Sequence, residues 1–251
     1  MILKKPSLII ILLAVIVVIS ALFLINSRYK SVIVNIPRFS HNPAVQNDIN
    51  VPVSQSEILY PKSVNLSVPF TPQAPTANWD ELHNEACEEA SAIMSAEYFS
   101  GNENTKLASE LVEEQITKLT EWQQKTFGYY LSISSEETVQ MIEANYNLKA
   151  KIITDVTEEN IKNELSQNHL ILFPANGQLL GNPNYKRPGP KYHMLVIRGY
   201  TASSIITNDP GTRNGLNYPY DFDTLYNANG NWNHQTEKVD LSKKNMVVVW
   251  E

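Results

Sequence analysis

Apolar and polar positions divide the chain into three parts. From Leu8 to Ile25 an 18-residue run carries no charge and one polar side chain, Ser20. As a helix it would rise about 27 Å, close to the roughly 30 Å of a bilayer's hydrocarbon core. It exceeds the usual apolar stretch of a cleaved signal peptide, and no small-residue cleavage site follows it. The reading is a short cytoplasmic tail at residues 1–7 and an uncleaved transmembrane signal-anchor at 8–25. Lys4 and Lys5 before the run are balanced by Arg28 and Lys30 after it. Orientation therefore rests on the shortness of the tail, which places the rest outside the cytoplasm. Residues 26–62 have no sustained period and are rich in Asn, Ser and Pro, as a stalk would be, with a short strand at 31–36.

Residues 63–251 show both helical and strand periods. "NEACEEASAIMSAEYFSG" reads as a helix with Asn84 as N-cap, Gly101 as C-cap and one apolar face through Ala86, Ala90, Ile93 and Met94. Further helices are predicted at 105–122, 135–146 and 157–167, and Ser134 and Glu137 have capping-box spacing. The later runs "LKAKII", "HLILFP", "YHMLVIRGY", "SIITND" and "MVVVW" are short, β-branched and bounded by turn residues. Helices first and strands after predict an α+β domain, a helical part packed on an antiparallel sheet. Two long loops, 175–191 and 211–238, interrupt the strands, and loops of that length in a compact domain often carry function.

Composition narrows the chemistry. The 251 residues carry a formal net charge of −6 without a basic block, which argues against nucleic acid as a partner. One cysteine rules out an intramolecular disulfide or a cysteine-rich zinc site, and the scattered histidines lack ligand spacing, so no metal or cofactor is implied. Oligomeric state is not readable.

That cysteine, Cys87, falls in the first turn of a predicted helix, where the helix dipole favours a thiolate. Glu85, Glu88 and Glu89 oppose it by like charge. Taken alone, a cysteine among alanines is more simply a small buried side chain. A nucleophilic thiol also needs an imidazole. Of five histidines, His41 lies in the stalk, His83 is expected to be exposed, His169 opens a strand and His234 sits in an Asn-rich loop. His193 instead starts a strongly apolar strand. Asp209 lies 16 residues on, in the next strand. An antiparallel hairpin centred on Thr201 sets the two directly opposite, on one face, where a carboxylate can orient the imidazole. A two-residue loop would put them on opposite faces, so the pairing requires an odd loop or a bulge, with Asn208 as the orienting residue otherwise. Gln73 is a candidate second donor to an oxyanion beside the Cys87 N–H.

"VPFTPQAP…NWDE…EACEEAS", then "YHMLVIRGY", then "NDPGT", resembles the family-39-like cysteine peptidases, relatives of the bacteriocin-processing double-glycine-leader peptidases. The resemblance covers roughly residues 66–210. It implies a papain-like fold, with Cys87 as nucleophile, His193 as base and acid, Asp209 as orienting carboxylate and Gln73 as oxyanion donor. Two features depart from the family pattern. Glu88 stands where Gly commonly follows the cysteine, and Gln73 is 14 residues from Cys87, farther than usual. The expected protein is a membrane-anchored, single-pass, extracytoplasmic cysteine peptidase acting on peptides or proteins outside the cell, or a secreted one if the N-terminal segment is cleaved. A non-catalytic peptidase-like binding domain and a cell-wall amidase or transamidase are the alternatives.

Overall fold

A computed structural model of the chain describes residues 60–251. The chain enters through β1 (Val64–Asn65) and reaches a short helix α1 (Glu81–Asn84), capped by Asp80, whose side chain accepts from the His83 N–H. Helix α2 (Cys87–Phe99) follows at once. The helix predicted from an N-cap at Asn84 thus starts two residues later than expected, because Glu85 leaves helical geometry. Asn84 closes α1 instead, and Ala86 stands at the cap of α2 without a capping side chain. Cys87 is the first residue of α2. The expected single apolar face is also replaced: every residue from Cys87 to Ser95 is buried, so α2 is a core helix packed all round.

Helices α3 (Ser109–Thr126) and α4 (Ser135–Asn145) come next. Helix α4 opens with the capping box read from Ser134 and Glu137. Strand β2 (Lys149–Ile153), helix α5 (Glu158–Ser166) and strands β3 (Leu170–Ala175), β4 (His193–Tyr200) and β5 (Ile205–Asn208) complete the segments predicted from sequence, apart from the last strand. Residues 211–238, read as a loop, hold β6 (Tyr218–Tyr220), α6 (Phe222–Ala228) and β7 (Asn231–Asn233), with β8 (Lys238–Asp240) at their end. The chain closes on β9 (Met246–Trp250).

The main sheet is antiparallel in the order β2-β9-β3-β4-β5-β6, with β1 added to β4. Its two faces bury different helices. Leu172, Met194, Val247 and Val249 pack with Ile93, Val112, Ile116, Met141 and Ile142 from α2, α3 and α4. Ile171, Phe173, Leu195, Ile197 and Val248 pack on the other face with Ile161, Leu165, Leu225 and Ala228 from α5 and α6. The expected fold had helices against the sheet, and they cover both faces. That explains why β4 and β9 read as continuous apolar runs rather than alternating ones.

The transmembrane part of the expectation is corrected. Among the described residues no helix is long and apolar enough to cross a membrane. Helix α3 has the 18 residues, but it carries Glu110, Glu113, Glu114, Lys118, Glu121 and Lys125. The single-pass topology, the membrane as partner and the extracytoplasmic placement built on that helix are withdrawn with it. Residues 8–25, and the strand expected at 31–36, lie outside the described residues.

Candidate active site

Strand β4 begins with His193, which pairs across the sheet with Ala175 and so faces the α5–α6 side. Val196 stands opposite Asn208 and Ile197 opposite Thr207. Beyond Arg198 the register moves, and Gly199 faces Ile206 while Tyr200 faces Ile205. The turn is short, with the Thr201 N–H donating to the Ser204 carbonyl at 2.8 Å. Such a turn alone would put His193 and Asp209 on opposite faces. The bulge at Arg198 adds the missing residue and restores a common face. The direct opposition expected from sequence becomes a diagonal one, because Asp209 follows the last paired residue of β5 and lies two positions from the residue facing His193.

The imidazole Nε2 is 2.8 Å from Asp209 Oδ1, with both side chains fully enclosed. Asp209 is held by four further donors. Gly211 N–H reaches Oδ1 at 3.0 Å, and Oδ2 accepts from Asn182 Nδ2 at 3.0 Å, Tyr185 OH at 2.6 Å and Tyr220 OH at 2.8 Å. Burial alone would raise the carboxyl pKa. The neighbouring His193 and the hydrogen bonds from His193, Tyr185 and Tyr220 outweigh it and hold it below the ordinary value. Burial, and then the Asp209 charge, pushes both phenols up, so they stay protonated donors. Asn182, Tyr185 and Tyr220 were not among the residues picked from sequence. Their only signal was the length of the two loops that carry or adjoin them.

With Nε2 turned to Asp209, Nδ1 is the ring nitrogen left over. Nδ1 of His193 is buried and has no hydrogen-bond partner among the described residues. The Tyr185 ring stands edge-on to the imidazole, with centroids 5.5 Å apart. Gly211 lies beside it: a Cβ there would stand 2.9 Å from His193 Cε1 and 2.9 Å from a Tyr185 ring carbon.

Cys87 is placed differently. Its thiol donates to Glu88 Oε2 at 2.8 Å, while Glu88 Oε1 accepts the Ile133 N–H at 2.8 Å. Cys87 packs with Tyr192 and Met194, the two neighbours of His193, and Ser91 one turn further along α2 donates to the Met194 carbonyl at 3.2 Å. The thiol and the imidazole therefore approach the start of β4 from its two faces, and no hydrogen bond joins them. Burial, and next the Glu88 charge, pushes the thiol pKa well above its ordinary value. Glu88 and Glu89 are raised in turn, chiefly by burial.

Gln73 sits between the two. Its N–H donates to the Pro210 carbonyl at 2.9 Å, next to Asp209. Its Nε2 donates to the carbonyls of His83 at 2.8 Å and Asn84 at 3.0 Å, just before Cys87. The 13 residues from Ala74 to Ala86 thus loop out and return. The other described histidines are occupied elsewhere. His83, expected to be exposed, is buried between Asp80 and Glu113 at 2.7 and 2.8 Å. His169 bonds Glu164 and His234 bonds Glu137. No group of three His, Cys, Asp or Glu side chains among the described residues could hold a metal.

Among curated proteins, none matches the chain. A solved structure described as a C39-like peptidase from Bacillus anthracis aligns at 15% identity with a TM-score of 0.47, over 76% of this chain and 98% of that one. The model of the Peptidase_C39 like family matches residues 65–239. That span is well over half of the sequence and runs from β1 through β8, and the chain belongs to the Peptidase_C39 like family.

Proposed function

We propose that this protein is a cysteine-type peptidase in which Cys87 attacks a peptide carbonyl, His193 accepts the thiol proton, and Asp209 orients the imidazole. The observation that carries this reading is the buried His193–Asp209 pair, whose remaining nitrogen, Nδ1, has no partner among the described residues. A fully enclosed imidazole with one nitrogen fixed and the other unsatisfied is costly unless that nitrogen has work to do. Asp209 fixes the tautomer, so Nδ1 is the atom that takes a proton from the thiol and returns it to the leaving amine. Attack by sulfur forms the C–S bond and drives the carbonyl electrons onto oxygen. Collapse expels the protonated amine, and water then releases the acid and the thiol. The Cys87 N–H at the start of α2, where Ala86 supplies no capping side chain, is one donor to the oxyanion. Gln73 is the second once its Nε2 leaves one of the carbonyls it now holds.

For this chemistry Cys87 must exchange its bond to Glu88 for one to His193. Hydrolysis of a quenched fluorescent peptide mixture, with iodoacetamide labelling of Cys87 alongside, tests the reading. We expect turnover that disappears in Cys87→Ser and His193→Ala, and slower labelling in His193→Ala. Labelling unchanged by His193→Ala would dismiss the ion pair. It would favour a non-catalytic binding domain, the reading that the Cys87–Glu88 hydrogen bond supports.

A further inference from the structure

A cleft of about 1120 Å³ opens beside Gln73, Tyr192 and Gly211, at the end of the sheet where His193 lies. Its charge is uneven. Lys186, Arg187, Lys191 and Arg213 line it, all exposed, and none forms an ion pair with a carboxylate among the described residues. They come from two loops tied together by Asn214 Nδ2 donating to Asn184 Oδ1 at 3.1 Å. Between Glu164 and Asp209 the sequence contains no acidic residue, so Lys186, Arg187 and Lys191 have no acidic neighbour along their own loop. Only Glu85 and Glu237 among the lining residues are acidic, and Glu85 is engaged by Ser132 at 2.9 Å. This wall is cationic on a chain whose net charge is −6. A cleft of one sign with low-dielectric walls concentrates the field and draws oppositely charged ligands.

The apolar part of the lining indicates what kind of anion belongs there. Trp79 and Leu131, 45% and 39% exposed, line the same cleft. Two large exposed apolar side chains beside a row of cations suit a peptide with both acidic and apolar residues better than a uniformly polar polymer. We infer that the substrate of this site is an acidic peptide segment whose carboxylates lie along Lys186, Arg187, Lys191 and Arg213, with an apolar residue against Trp79 and Leu131. The inference rests on the peptidase reading above and names the substrate class for it.

Two quenched fluorescent peptides test it, one with four Asp or Glu residues around an apolar centre and its twin with Asn or Gln instead. The acidic peptide should be cleaved with kcat/KM about tenfold higher at about 50 mM salt, an advantage that fades toward about 0.5 M, where the screening length is only a few ångströms. Lys186→Glu combined with Arg213→Glu should abolish or reverse the preference. The same pair, labelled, should show a similar affinity ratio by fluorescence anisotropy on Cys87→Ser, which needs no turnover. Equal turnover and equal binding of the twins would overturn the inference and leave the peptidase reading standing. Preferential binding of the acidic twin without cleavage of either would uphold the inference and remove the peptidase reading. Tight binding of a sulfated polysaccharide with no binding of the acidic peptide would overturn it in favour of a glycan partner.

Discussion

A buried thiol hydrogen-bonded to the carboxyl of the next residue is half of a pair of acids with unequal appetites for protons. The carboxyl of Glu88 is raised by burial and by Glu89, and the Cys87 thiol by burial and then by the Glu88 charge. The thiol must then lose its proton against a negative charge 2.8 Å away. Glu88→Gln removes that charge and leaves an amide oxygen able to accept the Ile133 N–H. The pH profile of Cys87 alkylation should then move to lower pH, with roughly tenfold faster labelling near neutrality. Burial, the larger cause, persists, so the thiol should not become as acidic as a free one. Glu89→Gln should do less, because Glu89 acts on the thiol more weakly than Glu88 or Glu85. An unmoved profile in Glu88→Gln would sink this account of the thiol. Two buried glutamates beside the cysteine were not foreseeable, since acidic residues are rarely buried unless paired.

At the scale of the element, β4 and its hairpin to β5 decide the site. Gly211 follows Asp209 by two residues, where any Cβ would press on the His193 and Tyr185 rings. Gly211→Ala should therefore cost about 1–3 kcal/mol, as overpacking does, read as a lower urea midpoint. It should also reduce peptide turnover on the order of tenfold by tilting the imidazole. A variant with unchanged stability and turnover would show that the loop moves aside freely. This hairpin also marks how far the sequence could be read. The two strands, their pairing and the need for a bulge all followed from period-2 runs and the separation of His193 from Asp209. The bulge's position at Arg198 did not, because it depends on contacts from β1, whose Val64 and Asn65 pair with Tyr200 and Gly199. Strands β6 to β8 escaped because three residues hold too little of a period-2 alternation, and α6 because seven residues make less than two helical turns. Asn182, Tyr185 and Tyr220 reach Asp209 from far along the chain, and no local pattern announces such a convergence.

At the scale of the whole molecule, three buried groups, Glu88, Glu89 and His83, lose stability together as pH rises from mildly acidic values. Glu88 and Glu89 have raised pKa values through burial, Glu89 from 4.5 to about 7. A carboxyl whose folded pKa is raised holds its proton more tightly when folded, so it costs stability as pH rises from its unfolded value through its folded one. His83 adds to the same slope. Burial would lower its pKa, but the Asp80 and Glu113 carboxylates outweigh burial and raise it, so its contribution is complete below about pH 6.5 and fades above. On the acid side the order reverses. Asp209, with its five donors, is held below the ordinary carboxyl value, and its contribution disappears as pH falls through that lowered value. Stability should therefore peak near about pH 4 to 5, where Asp209 is ionised and the raised carboxyls are only beginning to cost stability, and urea midpoints should decline from there to pH 8.5. Glu89→Gln keeps an amide partner for Gln123, whose Nε2 donates to Glu89, and removes the ionisation. It should flatten the decline, by at most about 3 kcal/mol for a shift of this size and by less where Glu88 shares the same protons. Parallel slopes in the wild type and Glu89→Gln would mean that Glu89 ionises in the folded protein without penalty. The enclosure of α2 around Glu89 would then be looser than the structure shows.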